Sequence, residues 1–148
     1  MDAAFAALAA AMEEAREPWW VIGSAALVLH GIDPGGIEDI DLLCSKRDGE
    51  RLLARWGLAH ADRPHARYRS CPYARWCGVS PPIEIMGGLE RCVEGAWTPL
   101  RFATRVAVER AGVTLYTPAL EEQAALLRWF GRDKDLGRLA RIAAAKGQ

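Results

Sequence analysis

Residues 19–45, WWVIGSAALVLHGIDPGGIEDIDLLCS, restrict the fold more than any other stretch of the chain. An apolar run, 19–22, stops at Gly23 and reads as a short strand. Ser24 is placed to cap a helix over 25–30. Pro34, Gly35 and Gly36 then break the chain. Residues 37–44 again read as a strand, apolar except at Glu38, Asp39 and Asp41. Side chains alternate along a strand, so Asp39 and Asp41 share one face, about 7 Å apart, while Ile40 and Leu42 take the core face. Two such carboxylates repel each other. A purely structural strand gains nothing from the pair, whereas a divalent cation offsets the repulsion. Hard ions such as Mg²⁺ prefer carboxylate oxygens.

The composition sets limits on what this unit can serve. Lys+Arg and Asp+Glu both number 19, for a net charge of zero. That argues against gripping extended duplex DNA by counterion release and leaves room for a local basic groove. With 51% hydrophobic and 26% charged residues, 148 residues suit one soluble domain spanning 1–148. No apolar run approaches the roughly 20 residues needed to cross a bilayer. The N-terminal stretch carries Asp2, Glu13 and Glu14, unlike a signal peptide. The expected location is therefore cytoplasmic, with no membrane. Cys44, Cys71, Cys77 and Cys92 form no CxxC pair. They read as small thiols in a reducing compartment, with zinc or a disulfide as the alternative.

The rest of the chain supplies layers for that unit. Residues 3–16 predict an amphipathic helix through Phe5, Leu8, Met12 and Ala15, limited by Pro18. Residues 46–56 predict a second helix with Leu52, Leu53 and Trp56 on its apolar side and Gly57 as its stop. Residues 60–65 are a polar connector. Residues 66–79 carry strand-favouring Tyr68, Tyr73 and Trp76, with Pro72 at an edge or bulge. Ser80-Pro81-Pro82 turns the chain into a strand bearing Glu84, antiparallel to its predecessor and within reach of the aspartates. Residues 87–99 read as irregular. Strands are expected over 101–111 and 113–116, with Gly112 between them. Thr117 is expected as N-cap and Pro118 as first residue of a helix that ends at Gly131. A last helix over 133–145 should bury Leu136, Leu139 and Ile142. The expected fold class is α+β: a mixed, twisted sheet with helices mainly on one face.

Gly23-Ser24, Asp39-Ile40-Asp41 and the later Ile83-Glu84-Ile85 together resemble the polymerase-beta-like nucleotidyltransferase superfamily. Its signature is a Gly-Ser turn opening a helix, a spacer, and an Asp-x-Asp strand. The spacer here covers 25–38 and accommodates the Pro34-Gly35-Gly36 loop. Further on, Met86-Gly87-Gly88-Leu89, the Thr117-Pro118 helix start and Gly131-Arg132-Asp133-Lys134-Asp135-Leu136 resemble small bacterial members. The resemblance runs over roughly 19–142, specific in its first half and looser in its second. The lysine expected on the helix before Gly131 is absent, with Arg128 the nearest cation.

The resemblance implies that Asp39 and Asp41 bind two Mg²⁺ (or Mn²⁺) ions and that Glu84 completes the metal site and serves as base. The competing reading is three acids on a solvated edge. Gly23 lets a backbone approach a ligand, and Ser24 with its helix N-terminus suits a triphosphate. The plain alternative is an N-cap after a tight turn. Arg132, Lys134 and Asp135 either face the same cleft, holding phosphate oxygens, or form a solvated helix start. Arg67, Arg69 and Arg75 read as strand-surface charges, and Trp19, Trp20, Trp56, Trp76 and Trp129 as packing. His30, His60 and His65 show no ligand spacing. The expected function is metal-dependent transfer of a nucleoside monophosphate from an NTP such as ATP to an acceptor, which a small molecule, a protein or an RNA end could supply. The alternatives are a nucleotidyltransferase-like antitoxin acting on a toxin partner, and a nucleotide-binding module without turnover.

Overall fold

Alternation along neighbouring strands decides how the chain layers. In the computed structural model, which describes residues 1–147, β1 (Trp20–Ile22) runs antiparallel to β2 (Ile40–Cys44), setting Ile22 opposite Asp41. β2 runs parallel to β5 (Ile83–Gly87), setting Asp41 opposite Glu84. β4 (Tyr73–Trp76) lies antiparallel on the far side of β5, with Arg75 opposite Glu84. The sheet order is β1-β2-β5-β4. Residues directly opposite share a face. Ile22, Asp41, Glu84 and Arg75 therefore form one row across the sheet.

The opposite face carries the main core. Val21, Ile40, Leu42, Ile83 and Ile85 are buried there. They meet Phe5 and Leu8 of α1 (Asp2–Ala11) and Leu52 and Leu53 of α3 (Lys46–Trp56). Each such side chain contributes about 1.5–3 kcal/mol when fully buried. α2 (Gly23–Leu29) continues straight from β1 and sends Ala25 into this core. On the acid face, Ile22, Leu43, Tyr73 and Met86 pack with Leu126 of α4 (Leu120–Phe130). That packing stops short of Asp41 and Glu84, which line a cleft. α5 (Asp133–Lys146) packs through Ile142 against Leu27 and Leu127. The result is the expected α+β arrangement, a mixed sheet with α1 and α3 on the face away from the acids.

Two smaller sheets complete the chain. One joins β3 (Tyr68–Arg69), β6 (Glu90–Val93) and β7 (Ala96–Pro99); the other pairs β8 (Val106–Arg110) with β9 (Val113–Thr117). Among the described residues no helix is long and apolar enough to cross a membrane, and all four cysteines are free.

Several boundaries depart from the sequence reading. α1 ends at Ala11, short of residue 16, because the amides of Arg16 and Glu17 donate to the buried Asp48 carboxylate at 3.1–3.2 Å. Within 87–99, expected to be irregular, residues 90–99 form the β6–β7 hairpin, turned by Glu94 and Gly95 with φ of 51° and 80°. A glutamate in the left-handed region is a weak turn signal. The strand-favouring stretch 66–79, expected to hold an edge or bulge at Pro72, is split there between two sheets. Ser24 is not an N-cap: α2 begins at Gly23, and Ser24 lies buried inside it. Nor is Thr117, which ends β9 fully buried while Ala119 caps α4. Leu136 is 52% exposed, since α5 packs through its later turns.

Candidate active site

The row across the sheet builds the site. Asp41 and Glu84 face the same side because β2 and β5 pair in register. Asp39, just ahead of β2, joins them: one oxygen of each of the three carboxylates lies within 4.8 Å of the other two. Gly23, the first residue after β1, sits at φ +71°, where a Cβ would come 2.8 Å from Asp41 Oδ2. Only glycine satisfies both the backbone and the space. Asp41 Oδ1 is sealed from solvent and has no hydrogen-bond partner among the described residues.

Cations and a phenol hold the acids at the rim. Arg63 Nη1 donates to Glu84 Oε1 at 2.9 Å and its guanidinium lies 4.0 Å over the Tyr73 ring. The Tyr73 hydroxyl donates to the same Glu84 oxygen. Arg75 Nη1 donates to Asp39 Oδ2 at 3.0 Å. Burial pushes the Asp41 carboxyl well above its ordinary value, reinforced by its hydrogen bond with Glu84 and the charge of Asp39. Burial acts the same way on Glu84, but hydrogen bonds from Asp41 and Tyr73 and the charges of Arg63 and Arg75 outweigh it and hold that carboxyl low. Burial and the bond to Glu84 push the Tyr73 phenol up to about 12, so it stays protonated as a donor.

Hard oxygen donors in a tight cluster, one of them buried and unpartnered, fit a divalent cation. The cleft beside them is also lined by Gly23, Arg132, Lys134, Asp135 and Arg138. Arg132 is gripped by Asp135, through Nε at 2.6 Å and Nη2 at 3.1 Å, while Asp135 is fully buried. The start of α5 thus combines the two readings of its sequence: local charge pairs, on the cleft wall. Ser24 does not line the cleft.

The sequence reading missed Arg63, Tyr73 and the role of Arg75. Arg75 was expected as a surface charge and instead grips Asp39; Arg69 does pair on the surface, with Glu90. Arg67 is spent on the carbonyls of Trp129 and Phe130. The connector carrying Arg63 is pinned because the Tyr73 amide donates to His60 Nδ1 at 2.9 Å and Ala61 N–H to the Tyr73 carbonyl at 2.7 Å. Gln123 of α4 was also missed. It lines the cleft fully buried, and both polar atoms of its side chain lack partners among the described residues.

A sheet carrying converging acids beside a glycine turn defines a nucleotidyltransferase fold. Solved structures agree. A presumed nucleotidyltransferase from Thermotoga maritima (TM1012) superposes with a TM-score of 0.75 at 17% identity, over 97% of this chain and 92% of that one. The antibiotic-resistance factor ANT(2'')-Ia superposes with a TM-score of 0.57 at 15% identity, over 98% of this chain and 85% of that one. No family model matches the sequence, and no curated protein does. At these identities the likeness is one of fold.

Proposed function

We propose that this chain is a divalent-metal-dependent nucleotidyltransferase that moves a nucleoside monophosphate from an NTP to an acceptor. The carrying observation is the Asp39–Asp41–Glu84 cluster, with carboxylate oxygens within 4.8 Å of one another, beside Gly23. The nucleotidyltransferase fold of its structural neighbours supports it.

In this reading Asp39, Asp41 and Glu84 hold Mg²⁺ or Mn²⁺. The ion, when bound, stabilises the charge that develops on the phosphate oxygens. Gly23 lets the triphosphate approach the backbone. Arg132 and Lys134 draw phosphate oxygens by charge-assisted hydrogen bonds. Arg132 is suited because its bidentate grip on buried Asp135 fixes its orientation. Ser24 lies buried inside α2 and is given no ligand contact in this reading. The acceptor hydroxyl attacks the α-phosphorus. An O–P bond forms, the bond to the bridging oxygen of the β-phosphate breaks, and pyrophosphate leaves. The hydroxyl proton passes to Glu84, a base held ionised and in place by Tyr73 and Arg63.

The test is incubation with each α-labelled NTP, Mg²⁺ and a cell extract. Label should pass to an acceptor, and both EDTA and Asp41→Asn should abolish transfer. Wild-type protein that neither binds nor transfers any NTP with metal would refute the reading.

A further inference from the structure

Helix α4 presents Gln123, Leu126, Leu127 and Phe130 to the cleft, an i, i+3, i+4, i+7 stripe. Three of the four are apolar. The fourth, Gln123, is 0% exposed, and neither Oε1 nor Nε2 has a partner among the described residues. A buried amide without partners carries an uncompensated desolvation penalty. Burial against the core gives no return for that penalty; a ligand in the cleft does.

The carboxamide narrows the ligand chemistry. It presents a donor and an acceptor side by side in one plane. A phosphate only accepts, so Oε1 would stay unpaired. A metal ion takes only the oxygen, so Nε2 would stay unpaired. A nucleobase edge with a donor beside an acceptor satisfies both atoms at once. Its flat apolar faces also suit walls made of Ile22, Leu126 and Phe130.

We propose that Gln123 determines nucleotide specificity, its carboxamide pairing with the donor–acceptor edge of the nucleobase. This rests on the nucleotidyltransferase reading above. Gln123 touches the base once its carboxamide turns from its sealed position into the cleft, and takes no part in moving the phosphoryl group or a proton.

Calorimetry with the four NTPs and Mg²⁺ tests it, comparing wild type with Gln123→Leu and Gln123→Glu. Wild type should prefer one base by about tenfold or more, the discrimination typical of a bidentate pair. Gln123→Leu should still bind all four NTPs, with affinities drawn together to within about twofold, and should melt higher because the unpaired amide is gone. Gln123→Glu, which only accepts, should change which base is preferred. The dependence on Gln123 should persist with 2'-deoxynucleotides. Its disappearance there would make a ribose hydroxyl the partner and overturn the base assignment. A wild type indifferent to the base, a preference that survives in Gln123→Leu, or an equal loss for all four NTPs would also overturn it while leaving nucleotidyl transfer standing. A wild type that binds no NTP with metal would remove both. Should Gln123→Leu fail to fold, Gln123→Met, unbranched and of similar length, carries the same comparison.

Discussion

Asp41→Asn should stabilise the metal-free protein while abolishing its chemistry. Each pair of ionised carboxylates within 4.8 Å repels by about 3.5 kcal/mol at an effective dielectric constant of ~20. Arg75 on Asp39 and Arg63 on Glu84 offset part of this, and burial raises the Asp41 carboxyl further against ionising. A net relief of about 1–2 kcal/mol on removing the Asp41 charge follows, which raises Tm by about 3–6 °C for a domain of this size. The pH dependence has a definite sign. The folded state raises the Asp41 pKa above its unfolded value of about 3.9. The protein thus holds this stability below that value and loses it as pH rises toward the folded pKa. The advantage of the asparagine variant in EDTA should therefore widen as pH climbs above about 4. Adding Mg²⁺ should close or reverse it, because a ligand at 100 times its Kd adds about 2.7 kcal/mol to wild type. Thermal melts in EDTA and in Mg²⁺, across pH, measure all of this. An asparagine variant that melts below wild type in EDTA at pH 7, or a gap insensitive to Mg²⁺, would refute the reasoning.

Glu84→Gln should keep the fold and most NTP binding while cutting transfer by about 10²-fold or more, as loss of a general base does; single-turnover assays beside binding isotherms separate the two. Gly23→Ala should destabilise by about 1–3 kcal/mol, because it strains a left-handed backbone and drives a Cβ onto Asp41 Oδ2, and should weaken Mg²⁺ binding along with the fall in Tm. Ser24→Ala should cost well under the ~1 kcal/mol of a lost N-cap, since the Ser24 side chain caps no helix; a fall in Tm as large as for a true cap would count against the observed start of α2.

What could be read from the chain alone was local. A period of two set Asp41 on one face and Ile40 and Leu42 on the other, whatever the neighbouring strands, while Asp39 precedes β2, which starts at Ile40 and not at residue 37. The borders of α3 were legible because Gly57, at φ +64°, terminates the helix by its own backbone preference. The hairpin at Glu94-Gly95 escaped because its left-handed glutamate is tolerated only once both strands are paired. The site had the same division. Gly23, Asp39 and Asp41 lie in one short unit and announce themselves by spacing. Glu84 joins them through the parallel register of β2 and β5, which the buried Ile40, Leu42, Ile83 and Ile85 set together. Arg63 reaches Glu84 only because His60 and Ala61 tie their connector to Tyr73. Gln123 looks in sequence like any polar helix residue, and its isolation arises only where α4 closes against the acid face. Periodicity and single-residue backbone preference act over a few residues, so the sequence determined the acid pair and its strand. Register and burial depend on what the whole core excludes from water, so Glu84 was named from sequence only through the family resemblance, and the tertiary structure alone decided that Arg63, Tyr73 and Gln123 stand beside it.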